Sequence, residues 1–247
     1  MAIKVVTFDL DNTLWDVEPA LLRAEEAQRQ WLLTHRPGAM GNISHDELWD
    51  LKKRVWKAHP ELAHNVTAMR QLFLRELQLA AGYNEQDSTV GAQHAFEVFL
   101  AERQNVELYS EALGVLEALA GRFRLGALTN GNADVYKTDA GEYFDFAFLA
   151  EDIGASKPAP DMFQAALNTT GVNAHEVLHV GDNPEHDILG ALQVGMHAIW
   201  LNADGAPWSS TNSDTGYAPH GTITAISELP GAVAELERQL SEDSIDR

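Results

Sequence analysis

The sequence predicts an α/β fold, a Rossmann-like three-layer core around a mostly parallel sheet, with an inserted all-helical subdomain. Three observations lead there. From Ser110 onward, short apolar runs alternate with helical patterns, the signature of βαβ units. The chain opens on Ile3-Lys4-Val5-Val6-Thr7-Phe8, a β-branched run that suits a strand buried on both faces of a parallel sheet. Between these regions, residues 17–105 carry helical periodicity and no convincing strand. The expected division is 1–16 with 106–247 as the core, and 17–105 as the helical subdomain.

The elements follow in order. Pro19 suits a first helical turn, with Leu21, Leu22, Trp31 and Leu32 as its apolar stripe. Ser44-His45-Asp46-Glu47 reads as a capping box, followed by Leu48, Leu51 and Val55 facing inward. A third helix carries Met69, Leu72, Phe73 and Leu77 and stops at Gly82, and a fourth spans 86–104. In the second region, helices are expected over 110–120, 134–140, 160–170 and 187–194 and from about Gly231. Strands are expected over 123–128, 146–150, 177–180, 197–201 and 222–225. Residues 203–221 are rich in Gly, Ser, Asn and Pro and read as a loop. The polar tail 241–247 is expected to fray.

Composition narrows the function classes. Lys plus Arg number 17 and Asp plus Glu 37, for a net charge of −20. A chain this acidic is ill suited to nucleic acid or anionic lipid bound through a broad basic face. The absence of cysteine excludes disulfides, thiolate catalysis and thiolate-held metals. The N-terminus lacks the apolar core of a secretory signal, and no window reaches membrane-span length. The expectation is a soluble cytoplasmic protein, monomer or homodimer. The sequons at Asn42, Asn65 and Asn168 read as chance.

The chemistry gathers at predicted strand ends. Asp9 and Asp11 follow the first strand, Thr129 and Asn130 end another, and Asp182 ends a third, with Lys157 in a loop after a fourth. Ligands of open parallel sheets bind beyond the carboxyl ends of the strands. With Asp187, four carboxylates face one ammonium, an imbalance that calls for a cation. Hard oxygen donors without thiolate suit Mg²⁺, which keeps waters and binds substrate phosphate. One carboxylate is then available as a nucleophile and another to move protons. Asp9 and Asp11, two apart in an extended segment, point the same way. Thr129 and the residues after it can hold phosphate oxygens, and Lys157 supplies a point charge. Asp-x-Asp-x-Thr alone occurs by chance in about one chain in ten of this length, so the weight lies on order and placement together.

Phe8-Asp9-Leu10-Asp11-Asn12-Thr13-Leu14, Leu128-Thr129-Asn130-Gly131, Ser156-Lys157-Pro158 and Val180-Gly181-Asp182 with Asp187 make the chain resemble the haloacid dehalogenase-like hydrolases. Tyr143-Phe144-Asp145 and Gly195-Met196 are further landmarks. The resemblance implies that Asp9 is a nucleophile forming an aspartyl-phosphate, and that Asp11 protonates the leaving alcohol and then activates water. Thr129, Asn130 and Lys157 would hold the phosphoryl group. Asp9, the Asp11 carbonyl and Asp182 would ligate Mg²⁺, with Thr13 and Asp187 in support. The helical subdomain would be a mobile cap.

The dehalogenases of that family lack the second aspartate as an acid, so Asp11 points to phosphomonoester hydrolysis of a small phosphorylated metabolite. Phosphonate hydrolysis through a cap lysine (Lys52, Lys53 or Lys57), haloacid hydrolysis, phosphomutase chemistry and non-enzymatic binding remain as alternatives. The segments 64–70 and 130–133 are similar to bacterial flavin-pathway phosphatases, which implies ribitylaminouracil phosphate or FMN as substrate. His64 and Arg70 are candidate cap contacts. Trp15, Trp31, Trp49 and Trp56 fall in or near the cap and are candidates for a stacking wall. His179 reads as a packed strand residue and His186 as exposed.

Overall fold

The structure is a computed structural model and describes residues 2–41, 43–208 and 216–245. Among them, six strands form one sheet in the order β3-β2-β1-β4-β5-β6. They are β1 (Val5–Phe8), β2 (Arg124–Thr129), β3 (Phe146–Leu149), β4 (Val177–Gly181), β5 (His197–Leu201) and β6 (Gly221–Ile223). Every neighbouring pair is parallel. β1 lies centrally and all four of its residues are buried, which is why it reads as an unbroken apolar run rather than an alternating one.

The chain divides into two compact units, Met1–Asp16 with Glu107–Arg247, and Val17–Val106. The second unit contains α1 (Val17–His35), α2 (Pro37–Met40), α3 (His45–Ala58), α4 (Val66–Ala80) and α5 (Glu85–Arg103). Its core joins Ala24, Leu32, Leu51, Val55, Met69, Leu74, Leu77, Ala95, Phe96 and Phe99. Ser44 caps α3 in a full capping box with Glu47. Asn65 caps α4, accepting from the Ala68 N–H at 2.7 Å. On α1 the buried line is Ala20, Ala24, Gln28 and Leu32, at four-residue spacing. Leu22 falls off that line and is 60% exposed, contrary to the stripe expected for it.

In the first unit, α6 (Ala112–Ala120) packs against the last helix, α10 (Leu229–Ile245), while α8 (Pro160–Thr170) packs against β2, β3 and α9 (Gly190–Gln193). A short α7 (Ala150–Ile153) follows β3 directly. Two expectations fail here for local reasons. Residues 134–140 form no α-helix; 3₁₀ turns at Val135–Lys137 and Gly141–Tyr143 replace it. Asp134 and Thr138 bond nearby backbone groups instead, and such short polar side chains compete with the helical ladder. The helix expected over 187–194 begins earlier, as a π-helical turn at Pro184–Leu189 that leads into α9. The tail is ordered further than expected, since α10 continues to Ile245. The sequon at Asn42 and the last residues, 246–247, lie outside the described residues. No helix among them is long and apolar enough to cross a membrane.

A histidine relay joins β5 to the segment entering β6. The Ala198 N–H donates to His220 Nδ1 at 3.2 Å, so the His220 ring proton sits on Nε2. That nitrogen meets His197 Nδ1 at 3.0 Å, and His197 Nε2 meets the His175 carbonyl at 3.1 Å. The chain of bonds closes only with both rings neutral. Burial, then the neighbouring His220, pushes His197 down to about 4 from the usual 6.5, and burial lowers His220 too. Because the unfolded chain binds more protons in that window, the relay stabilises fully above the unfolded value and is lost as pH falls toward the folded one. Urea midpoints compared at about pH 7 and about pH 5 should fall further in the wild type than in His197→Asn. An equal fall in both proteins would contradict the neutral relay.

Candidate active site

Three neighbouring strands deliver the expected residues to one edge of the sheet. Asp9 follows β1, Thr129 ends β2 and Asp182 follows β4. The Asp9 N–H donates to the Val180 carbonyl at 2.8 Å, carrying the β1–β4 ladder one residue past the strand. β2 and β3 lie on one side of β1 and β4, β5 and β6 on the other, and it is beside such a switch point that open parallel sheets bind ligands.

Lys157 sits at the centre. Its Nζ donates to Asp9 Oδ1 at 2.8 Å, to Asp187 Oδ1 at 2.6 Å and to the Leu128 carbonyl at 2.5 Å. The side chain is 1% exposed. An ammonium has three donors, and all three are engaged. Asn130 holds the loop that carries it: its Oδ1 accepts from the Lys157 N–H at 2.8 Å and its Nδ2 donates to the Lys157 carbonyl at 2.9 Å. The Asn130 side chain thus clamps the lysine loop, a role that the sequence did not suggest for it. Thr129 is buried, and its hydroxyl oxygen accepts from the Gly131 N–H at 3.0 Å.

Asp187 lies in the π-helical turn. Its Oδ2 accepts from the Asn183 N–H at 2.9 Å, and His179 Nε2 lies 3.4 Å from Oδ1. A Cβ on Gly181 would fall 2.4 Å from the Asp187 carboxyl carbon, so only glycine lets this acid tuck under β4. His179 is fully buried, as expected, but it is more than packing: its Nδ1 pairs with Thr7 Oγ1 at 2.9 Å, placing the ring between β1 and Asp187. The Asp182 carbonyl accepts from the Trp200 indole at 2.8 Å. Neither Thr7 nor Trp200 was singled out by the sequence, where each is one more β-strand residue.

The loop after β1 is tight. Asn12 takes a positive φ of 62°, a conformation that asparagine tolerates better than most residues. Thr13 Oγ1 donates to Asp9 Oδ2 at 3.3 Å. Trp15 Nε1 donates to Asp11 Oδ1 at 2.8 Å.

The charges do not balance among these side chains alone. Burial raises the Asp9 pKa well above the ordinary carboxylate range, opposed by Lys157 and reinforced by Asp187 and Asp182. Burial and the Asp187 charge push Asp182 up to about 6. Burial also disfavours the Lys157 charge, yet Asp187 and Asp9 outweigh it and hold the ammonium above its usual value. For Asp187, Lys157 and His179 outweigh burial and hold its pKa down. Asp9, Asp182 and Asp187 each bring a carboxylate oxygen within 4.8 Å of the others. Clustered hard oxygens short of positive charge fit a small divalent cation such as Mg²⁺. The Asp11 carboxylate is outside that group, tied to Trp15.

The other candidates separate. Trp15 belongs to the α/β unit and is fully buried, while Trp49 and Trp56 are 50% and 40% exposed on α3. Lys52 Nζ lies 5.6 and 5.4 Å from their two rings. Trp31 stacks on His35. Within the helical unit, Lys52 thus links Trp49 to Trp56, while Trp31 lies against His35 and His94. Lys53 and Lys57 are exposed, as is His186, and His64 is half-buried. Within the helical unit, the Arg70 guanidinium lies 3.6 Å from the Phe99 ring centroid and 3.6 Å from Glu25, and burial lowers its pKa.

Comparison with known proteins agrees with this geometry. The 5-amino-6-(5-phospho-D-ribitylamino)uracil phosphatase YigB of Escherichia coli is 32% identical over 231 residues, 94% of this chain and 96% of that one. A glyceraldehyde 3-phosphate phosphatase of Pyrococcus abyssi is 29% identical over 81% of each chain. Among solved structures, one described as a 2-haloacid dehalogenase from Pseudomonas syringae is 41% identical, with a TM-score of 0.87, over 94% of this chain and 99% of that one. Residues 3–195 match the description "haloacid dehalogenase-like hydrolase", and the chain belongs to that family.

Proposed function

We propose that this hydrolase is a Mg²⁺-dependent phosphomonoesterase working through an aspartyl-phosphate on Asp9. One observation carries the reading: two acids two residues apart have different partners. Asp9 is held by Lys157 and Thr13, and Asp11 by the Trp15 indole. A nucleophilic carboxylate must stay ionised inside a buried site, and an ammonium at 2.8 Å from Asp9 favours that form. An acid that serves the leaving group is better kept away from that ammonium.

In this reading the Asp9 carboxylate attacks phosphorus, and the P–O bond to the substrate alcohol breaks. Asp11 gives its proton to the departing oxygen. Asp11, now a carboxylate, takes a proton from water as that water attacks phosphorus, which releases phosphate and restores Asp9. Lys157 offsets the charge on Asp9 and on the phosphoryl oxygens, and the Thr129 hydroxyl would donate to those oxygens. Mg²⁺, held by Asp9 and Asp182 with Asp187 beside them, would screen phosphate from the carboxylates and stabilise the charge of the transferring group. Asp187 is already engaged by Lys157, His179 and Asn183, which suits it to orienting the site rather than to direct chemistry. The helical unit is proposed as the cap that selects substrate, and the similarity to the Escherichia coli phosphatase favours 5-amino-6-(5-phospho-D-ribitylamino)uracil.

Haloacid hydrolysis is the second reading, favoured by the description of the Pseudomonas structure. Asp11 weighs against it, because a halide leaves as a stable anion and needs no proton, whereas an alkoxide does. Phosphate release from a panel of sugar phosphates, nucleotides, FMN and the ribitylaminouracil phosphate, set beside halide release from 2-chloropropionate, decides between them.

Asp9→Asn should abolish phosphate release in a protein with unchanged circular dichroism; substantial residual turnover would remove Asp9 from the nucleophile's role. EDTA should silence the wild type and added Mg²⁺ restore it, and full activity in chelator would defeat the charge argument. Lys157→Met should lose activity and also lower stability by about 3–5 kcal/mol in urea unfolding, since it strands buried carboxylates without their partner. A variant as stable as the wild type would contradict that charge pairing.

A further inference from the structure

We propose that Trp15 is a positioning residue that sets the orientation of the Asp11 carboxyl group through its indole N–H. The inference rests on the reading of Asp11 as the proton donor. Trp15 is the largest fully buried side chain among the described residues, and its only polar side-chain atom donates to Asp11 Oδ1 at 2.8 Å. A core tryptophan usually brings its N–H to a backbone carbonyl or to water. Here the partner is an acid at the catalytic edge.

The backbone makes the indole a fixed reference point. The Asn12 N–H donates to the Trp15 carbonyl at 2.7 Å, and the Thr13 and Leu14 N–H groups return to the Leu10 carbonyl at 3.2 and 2.9 Å. Trp15 also bridges to Asp11 on one side and to Leu108 on the other, and the Tyr109 N–H donates to the Leu14 carbonyl at 2.9 Å. The chain leaves the α/β unit after Asp16 and returns at Glu107, so Trp15 is secured from within that unit by both the outgoing and the returning segment. An aspartate can rotate about its Cβ–Cγ bond over a broad range. A donor held this firmly removes that freedom, and an acid must be aimed at the leaving oxygen to within hydrogen-bond reach to be effective.

The role has a signature that loss of packing does not reproduce. A nitrophenolate departs without a proton, whereas an alkoxide needs one. The first-turnover rate of alcohol or phenol release, which precedes hydrolysis of the aspartyl-phosphate, and KM should be measured on p-nitrophenyl phosphate and on FMN, an alkyl phosphate, for wild type, Asp11→Asn, Trp15→Phe and a protein with 3-benzothienylalanine at position 15. The last keeps the indole shape and replaces N–H by sulfur, so it stays informative if Trp15→Phe folds poorly. Removing the N–H should lower the first-turnover rate on FMN about tenfold or more, with the first-turnover rate on the nitrophenyl ester within about threefold and KM within about twofold of wild type. Asp11→Asn should show the same split, only deeper. Equal losses on both esters, or no loss on FMN, in the benzothienyl protein would overturn the role of Trp15 while Asp11→Asn still shows the split. A split absent from Asp11→Asn, or a wild type inactive on both esters, would instead overturn the reading of Asp11 and with it the positioning role.

Discussion

Charge balance around one buried ammonium governs this structure. Lys157 lies between Asp9 and Asp187, with Asp182 close by, in a place with almost no access to water. An isolated ion there would be strongly disfavoured. The ammonium and the acids therefore stabilise one another's charged forms, and neither would be tolerated alone. The arrangement also leaves a deficit. One positive charge among three clustered carboxylates cannot neutralise them, and the raised pKa values of Asp9 and Asp182 express the remainder. In the proposed reading, a divalent cation would supply the missing charge at these clustered oxygens.

The parallel sheet brings these groups together across the chain. Asp9 and Lys157 are 148 residues apart in sequence, and no local preference could join them. Because β2, β1 and β4 are adjacent and run the same way, the residues just past their ends share an edge. The remaining positioning is done by small local devices. Asn130 fixes the loop of Lys157 by two bonds to its main chain, and Gly181 leaves the space that Asp187 fills. Asn183 accepts from the Glu185 and His186 N–H groups to start the π-helical turn. Each device holds a loop residue in place by bonding backbone, which is what a site on strand ends requires when its acids repel one another.

The sheet and the long helices were legible because burial leaves a periodic trace. β5 and α8 fall on the expected boundaries, since the apolar run of β5 is buried over its last four residues and α8 begins at Pro160 and ends at Gly171 with a φ of 70°. Elements made by side chain–backbone bonding leave no such trace. The 3₁₀ turns at 135–143 and the π-helical turn at 184–189 are instances, because Asp134, Thr138 and Asn183 look like ordinary loop residues in the sequence. At the site, the acids and the lysine were visible through their motif spacing. Their partners were not, since a pair such as Thr7–His179 or Asn130–Lys157 exists only once distant segments meet. Asn130 is an instance: its place beside Thr129 gave no sign that its side-chain amide bonds the loop of Lys157.

Asp9 and Asp11 put the same point more sharply. They are chemically identical, two residues apart, and indistinguishable by composition or spacing. The tight loop that follows β1 sets them apart. It returns Trp15 to Asp11 and Thr13 to Asp9, so one carboxylate meets a neutral indole donor and the other meets a hydroxyl and an ammonium. A neutral donor orients a carboxyl group with far less bias toward its ionised form than a cation exerts. One acid is thereby tied to a cation while its neighbour is oriented by a neutral group, an asymmetry that the proposed phosphoryl transfer through an acyl phosphate can use. Halide displacement has no use for that second acid. The five-residue loop from Asp11 to Trp15 therefore carries more of the case for ester hydrolysis than the Asp-x-Asp spacing that first drew notice to it.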